Sequence, residues 1–158
     1  LNPGKSIFPP WLRCLGFLSL FSVIVQSLLG SRVATSWAAH RCLDFGDSCN
    51  LLVLHRSSAF LVCLLVILFV ITSSIHNDVF INQWPYLLTI TFLIISQIFL
   101  GVFSIQLGMS EPALVIGHQL VACLLVALIS ALNFKGRAID GSYQSLCVPQ
   151  STLETCHG

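Results

Sequence analysis

The chain has 158 residues, 56% of them hydrophobic and only 8% charged, with a mean hydropathy of +0.91 and a formal net charge of +1. A soluble domain carries about 25% charged residues, so there is too little polar surface here for a water-facing exterior, and a polytopic membrane protein remains. The near-neutral balance also excludes a nucleic-acid partner, which needs a basic face.

In chain order, residues 1–10 hold Lys5 and the Pro9-Pro10 pair and form a short non-helical lead-in. Trp11 to about Gly30 is the first apolar run. Lys5 and Arg13 ahead of an apolar stretch would also suit a secretory signal, but three further runs favour a first transmembrane helix. Residues 31–50 form a polar loop with Arg32, Trp37, His40, Arg41, Cys42, Asp44, Asp47 and Cys49. The second span is expected over Leu51–Ser73, followed by a connection, 74–83, that holds His76, Asn77 and Asp78. Trp84, Pro85 and Tyr86 form an interfacial aromatic cluster opening the third span, which runs to about Gln106. A tight turn over Leu107–Pro112 leads to the fourth span, Ala113 to about Phe134.

Each span has about 20 residues, enough for a hydrocarbon core of about 30 Å. The expected fold class is therefore an all-α membrane protein, a four-transmembrane-helix up-down bundle over residues 1–134, with a polar C-terminal tail over 135–158. Lys5, Arg13, Lys135 and Arg137 share one side and favour cytoplasmic termini. A chain that begins at Leu1 is expected to be a processed product or a fragment.

Two histidines lie inside the spans. His55 follows Asn50 by about one and a half turns, and His118 follows Pro112 by a similar length, so both sit about 7–9 Å below the same boundary. Ionisable groups at membrane depth are costly and mark function. Spans two and four run in the same direction, and neutral imidazoles facing each other from two helices of a bundle are suited to holding heme iron axially. Ser57, Ser58 and Ala59 after His55, and Gly117 and Ala122 around His118, are small enough to admit a macrocycle and equally serve plain helix packing. Arg56 is the candidate partner of a heme propionate. The bland alternative is that each His is a hydrogen-bonded link between helices. Gln26, Gln97, Gln106 and Gln119 are expected to bond across helices, and His40, His76 and His157 to be solvated surface.

Of the seven cysteines, Cys14, Cys63 and Cys123 lie in apolar runs and are expected to be small buried hydrophobes. No CxxC occurs, which weakens zinc-ribbon and thioredoxin-type alternatives. Cys42 and Cys49 would close a small ring in the outer loop if oxidised, over the end where both histidines lie; two unrelated loop thiols are the alternative.

The pattern resembles the heme A synthases, whose members look like two tandem four-helix halves, each with a His near the outer start of its second helix and another in its fourth. The matching residues are Leu54-His55-Arg56, Ser96-Gln97 through Leu100-Gly101, Glu111-Pro112-Ala113-Leu114, Gly117-His118 and Ala122, with Cys42 and Cys49 matching the family's Cys-bearing first loop. The resemblance covers roughly residues 15–134. It implies oxidation of the C8 methyl of heme O to the formyl of heme A, for terminal oxidase maturation. The implied setting is a bacterial plasma membrane or an organellar inner membrane. The implied cofactor is heme b, its iron held by His55 and His118. The implied partners, besides membrane lipid, are the heme O substrate, the other half of the same enzyme or a second copy, heme O synthase and an electron donor. The family's substrate half carries a Glu one turn before its first His, where this chain has Leu52. That departure favours the C-terminal, heme b half and leaves the catalytic residues unassigned. The rivals are a non-catalytic bis-His cytochrome that relays electrons, a quinone-linked thiol oxidoreductase, and a cofactor-free assembly factor.

Overall fold

The computed structural model describes residues 8–34, 50–107 and 111–144. Four helices account for almost all of them: α1 (Pro10–Val33), α2 (Asn50–Ile75), α3 (Asn77–Gln106) and α4 (Pro112–Gln144). All four are long and apolar enough to cross a membrane, α4 over Pro112–Phe134. The all-α four-helix bundle is what the apolar runs require.

Two boundaries differ from expectation. The 74–83 connection shrinks to His76 alone, because α3 begins at Asn77. The amides of Val79 and Phe80 donate to the His76 carbonyl, at 3.0 and 2.9 Å, and Asp78 sits in the positive first turn of the helix. Pro85 falls inside α3 rather than at its start. The second difference is at the far end, where α4 continues past Phe134 through the polar residues to Gln144. Polarity ends a membrane span without ending a helix. At the other terminus Pro10 opens α1 as its first helical residue, where its missing N–H costs nothing.

Each helix packs on its neighbour in the chain, and α1 closes the ring against α4. Consequently α2 and α4 lie on one diagonal, and α1 and α3 on the other. Contacts between α1 and α2 run antiparallel, from Ser19 on Leu65 to Gln26 on His55. Those between α1 and α4 do the same, from Gly16 on Asn133 to Ser27 on Gln119. So α2 and α4 are parallel.

The core is apolar, with Leu12, Val66, Phe69, Ile90, Leu125, Ile129 and Leu132 fully buried, and small and polar residues lie among them. Leu, Ile and Phe cover the outside, including Phe21 and Phe60, whereas Gly16, Ser19, Ser73, Gln83 and Asn133 are buried. Lipid is as apolar as leucine, so burial of these large side chains alone gives helices little reason to associate, and close approach at Gly16 and hydrogen bonds between helices add to their packing.

The two hairpins, α1–α2 and α3–α4, correspond position by position. Placing Gln26 on Gln97 lays Gly30 on Gly101, and buried Leu12, Gly16, Ser19, Val23 and Val33 on buried Gln83, Leu87, Ile90, Ile94 and Ser104. Placing His55 on His118 lays Ala59 on Ala122, and buried Val62, Val66 and Phe69 on buried Leu125, Ile129 and Leu132. The bundle is thus one helical hairpin used twice.

A Cβ at Gly16 would drive into the Asn133 side chain. Gly16→Leu is expected to push α1 off α4 and cost about 1–3 kcal/mol, the range for overpacking. The lipid-facing Phe21→Leu should stay within about 0.5 kcal/mol of the parent, as surface changes do. Thermal unfolding in detergent compares the two.

Candidate functional site

His55 lies about 7.5 Å from the start of α2 and His118 about 9 Å from the start of α4, at the helical rise of about 1.5 Å per residue. Since those helices are parallel and diagonal, the two histidines lie at one level, the His55 ring against Gly30 of α1 and the His118 ring against Gly101 of α3. Both are half-buried. The structure therefore brings together the two histidines that sequence spacing singled out.

Each is seated by the helix before it. Gln26 of α1 donates its amide Nε2–H to the backbone carbonyl of His55 at 2.8 Å, and the same nitrogen lies 3.0 Å from His55 Nδ1. Gln97 of α3 donates Nε2–H to the backbone carbonyl of His118 at 2.9 Å. One turn beyond each glutamine is a glycine under the ring. A Cβ at Gly30 would lie 2.9 Å from His55 Cε1, and one at Gly101 would lie 3.2 Å from His118 Cε1. The pattern Gln-x-x-x-Gly on one helix and His-x-x-x-Ala on the next makes a station, and the chain has two.

The stations differ in one hydrogen bond. Ser58 Oγ lies 2.7 Å from Gln26 Oε1 and 2.7 Å from the Leu54 carbonyl, sharing its one proton between them, and adds to the His55 carbonyl in holding the Gln26 amide with its nitrogen toward His55. The position equivalent to Ser58 in the second hairpin is Val121, which offers no donor. There Gln97 Oε1 and His118 Nδ1 are both buried without a partner. The backbone carbonyl of Gln97 also interacts with the His118 imidazole, but no acceptor meets Nδ1 at bonding distance and angle.

Other expected residues fall as follows. Arg56 is exposed on the flank of α2, away from the line between the imidazoles. Ser57 is exposed, Ala59 half-buried and Ala122 buried. Gly117 has only ordinary contact, with Leu100 3.9 Å from a would-be Cβ, so it opens no special space. Gln119 bonds across helices, to Ser27 Oγ at 2.9 Å, whereas Gln106 is exposed at the end of α3. His76 packs against the Trp11 ring, centroids 5.5 Å apart, instead of lying free in solvent. Cys14 and Cys123 are exposed on the outside of their helices, not buried, because in lipid an outward thiol loses no apolar surroundings; Cys63 is half-buried. Cys42, Cys49, His40 and His157 lie outside the described residues. Gly30, Gly101 and Ser58 acquire roles that span-by-span inspection does not reveal. The repeated Gln-x-x-x-Gly is the signal that could have found the glycines.

The donor set can be tested against the implied cofactor. Among the described residues no three His, Cys, Asp or Glu side chains come together, and two imidazoles are half the four ligands of a structural zinc. Iron already held by a porphyrin needs only two more donors, one on each face. Two half-buried imidazoles on diagonal helices, with glycines beneath both rings, fit that requirement. Those residues would hold a heme as His55 on one face and His118 on the other.

Because the Gly30 cradle is the tighter, Gly30→Ala is expected to displace the His55 ring and cost more stability than Gly101→Ala costs at His118. The order is checked by thermal unfolding of both variants and by the NMR shift of each Cε1 proton.

Compared with protein-family models, with curated proteins and with solved structures, the chain has no match.

Proposed function

We propose that this chain is the heme-binding, heme b half of a heme A synthase, holding one b-type heme between His55 and His118. The observation that carries the reading is the pair of imidazoles on diagonal helices, at one depth, each seated by its own Gln and Gly. The duplicated hairpin accounts for the shared level and diagonal, and the heme reading adds a use for the two imidazoles placed that way.

In this reading the heme supplies the redox chemistry and the protein supplies two neutral donors in an environment where charge is disfavoured. Arg56, next to His55 and exposed, would offer its guanidinium to a heme propionate. Leu52, half-buried one turn before His55, offers no carboxylate, so oxidation of heme O belongs to a partner half or a second copy. The same Leu52 favours a second reading, a bis-His cytochrome that passes electrons without turning over heme O. The thiol oxidoreductase is less favoured, since Cys14, Cys63 and Cys123 are free thiols on three different helices. The protein would reside in a bacterial plasma membrane or organellar inner membrane with its termini cytoplasmic, and Cys42 and Cys49 would form a disulfide over the heme end.

Protein purified after expression with ample heme is expected to show a six-coordinate low-spin spectrum. His55→Ala and His118→Ala should each abolish that spectrum, with the helical circular dichroism retained. A heme-free preparation would sink the proposal. Conversion of heme O to heme A on adding the partner half separates the synthase from the relay cytochrome.

Non-reducing mass spectrometry of the native membrane should recover one peptide pair joined through Cys42 and Cys49. Full alkylation of both thiols would remove the outer-loop disulfide from the account.

A further inference from the structure

The two stations share their parts and differ in what holds the glutamine. In the first, Ser58 fixes Gln26 Oε1, so the amide nitrogen faces the ring. An amide N–H can only donate, so Nδ1 of His55 accepts and the ring proton sits on Nε2. In the second, Gln97 donates Nε2–H to the His118 carbonyl at 2.9 Å, Val121 offers its Oε1 no donor, and Gln97 Oε1 and His118 Nδ1 are both buried without a partner. Two buried unpaired atoms each cost about 1–3 kcal/mol. An Nδ1–H donating to Oε1 would satisfy both at once, with Gln97 bridging the His118 ring through its oxygen and the His118 carbonyl through its nitrogen.

We infer that the residue at the Ser58/Val121 position sets the tautomer of each histidine through the glutamine: Val121 makes Gln97 the acceptor for His118 Nδ1–H, leaving Nε2 bare, and Ser58 makes Gln26 a donor to His55 Nδ1. Only a bare Nε2 has a lone pair for iron. His118 is therefore the pre-set donor, while His55 must exchange its proton from Nε2 to Nδ1, with Gln26 turning its oxygen to the ring. The tautomer assignment stands on the hydrogen bonds alone; its consequence for iron rests on the heme reading above. Gln26 and Gln97 act as positioning residues, in the manner of outer partners that fix the orientation and basicity of metal-bound imidazoles.

The decisive experiment uses the full chain in nanodiscs with nitrogen-15-labelled histidine, first without heme. Nitrogen shifts should show His55 mainly as the Nε2–H tautomer and His118 mainly as Nδ1–H. Val121→Ser should turn His118 to mainly Nε2–H, and Ser58→Val should turn His55 to mainly Nδ1–H. Val121→Thr, which keeps the valine shape, guards against a packing artefact and should act as Val121→Ser does. Identical tautomers in the parent, or no response to the swaps, overturn the inference whatever becomes of heme. With heme bound, Gln97→Glu strengthens the acceptor and should move the midpoint potential negative, whereas Gln97→Leu should move it positive. Equal potentials for both variants would assign the His118 proton to the backbone carbonyl of Gln97 and overturn the role of its side chain. A chain that shows the predicted tautomers but takes up no heme leaves this inference standing and removes the proposed function.

Discussion

A polar side chain in hydrocarbon has only other protein groups to bond with, and in this bundle that constraint determines how the helices are rotated. Apolar residues surround α1 and α2 almost evenly, so hydrophobicity alone gives either helix little preferred inward face. The polar positions decide it. Gln26 on the His55 carbonyl, Ser19 on the Leu65 carbonyl and Gln119 on Ser27 tie α1 to both neighbours and point its uncharged polar edge inward. Interhelical bonds of this kind contribute about 0.6–2 kcal/mol each, comparable with the close packing that Gly16 and Gly30 permit. Remove the glutamines and the helices keep their length but lose the reason for their register.

The same constraint explains why the histidines share a depth. A glutamine amide reaches a carbonyl on the next helix only where the backbones are close, and the glycine one turn away provides that approach. Gln-x-x-x-Gly therefore fixes the level of whatever residue it holds. Using the motif in both hairpins fixes two residues at one level, on opposite corners. The duplication repeats a local packing solution and so sets two histidines at one level on opposite corners of the bundle.

Much of this was legible in the sequence. Four apolar runs led directly to four helices, and counting residues from Asn50 and Pro112 placed His55 and His118 at one depth before any coordinates. Polarity misled at two places: Asn77–Gln83 resembled a connection and is the first turns of α3, and the polar residues after Phe134 resembled a tail and extend α4 to Gln144. In both, hydropathy reports where the membrane ends, and backbone hydrogen bonding continues beyond it. The repeat was harder to see because Leu, Ile, Val and Phe exchange freely against lipid. Val66 onto Ile129 or Phe69 onto Leu132 carries little signal, and only Gln, Gly, His and Ala keep their identity.

What sequence could not supply is the difference between the halves. Ser58 and Val121 are ordinary helix residues, and their equivalence becomes meaningful only once Gln26 Oε1 has a partner and Gln97 Oε1 has none. A duplicated hairpin would present two like imidazoles to any ligand between them. One hydroxyl makes them unlike, so a ligand with distinguishable faces, such as an asymmetrically substituted macrocycle, meets one donor already set and another that must first move its proton. Asymmetry at so little cost to packing is available because the change lies one helical turn from the ring it governs. It acts through a side chain already needed to hold the helices together.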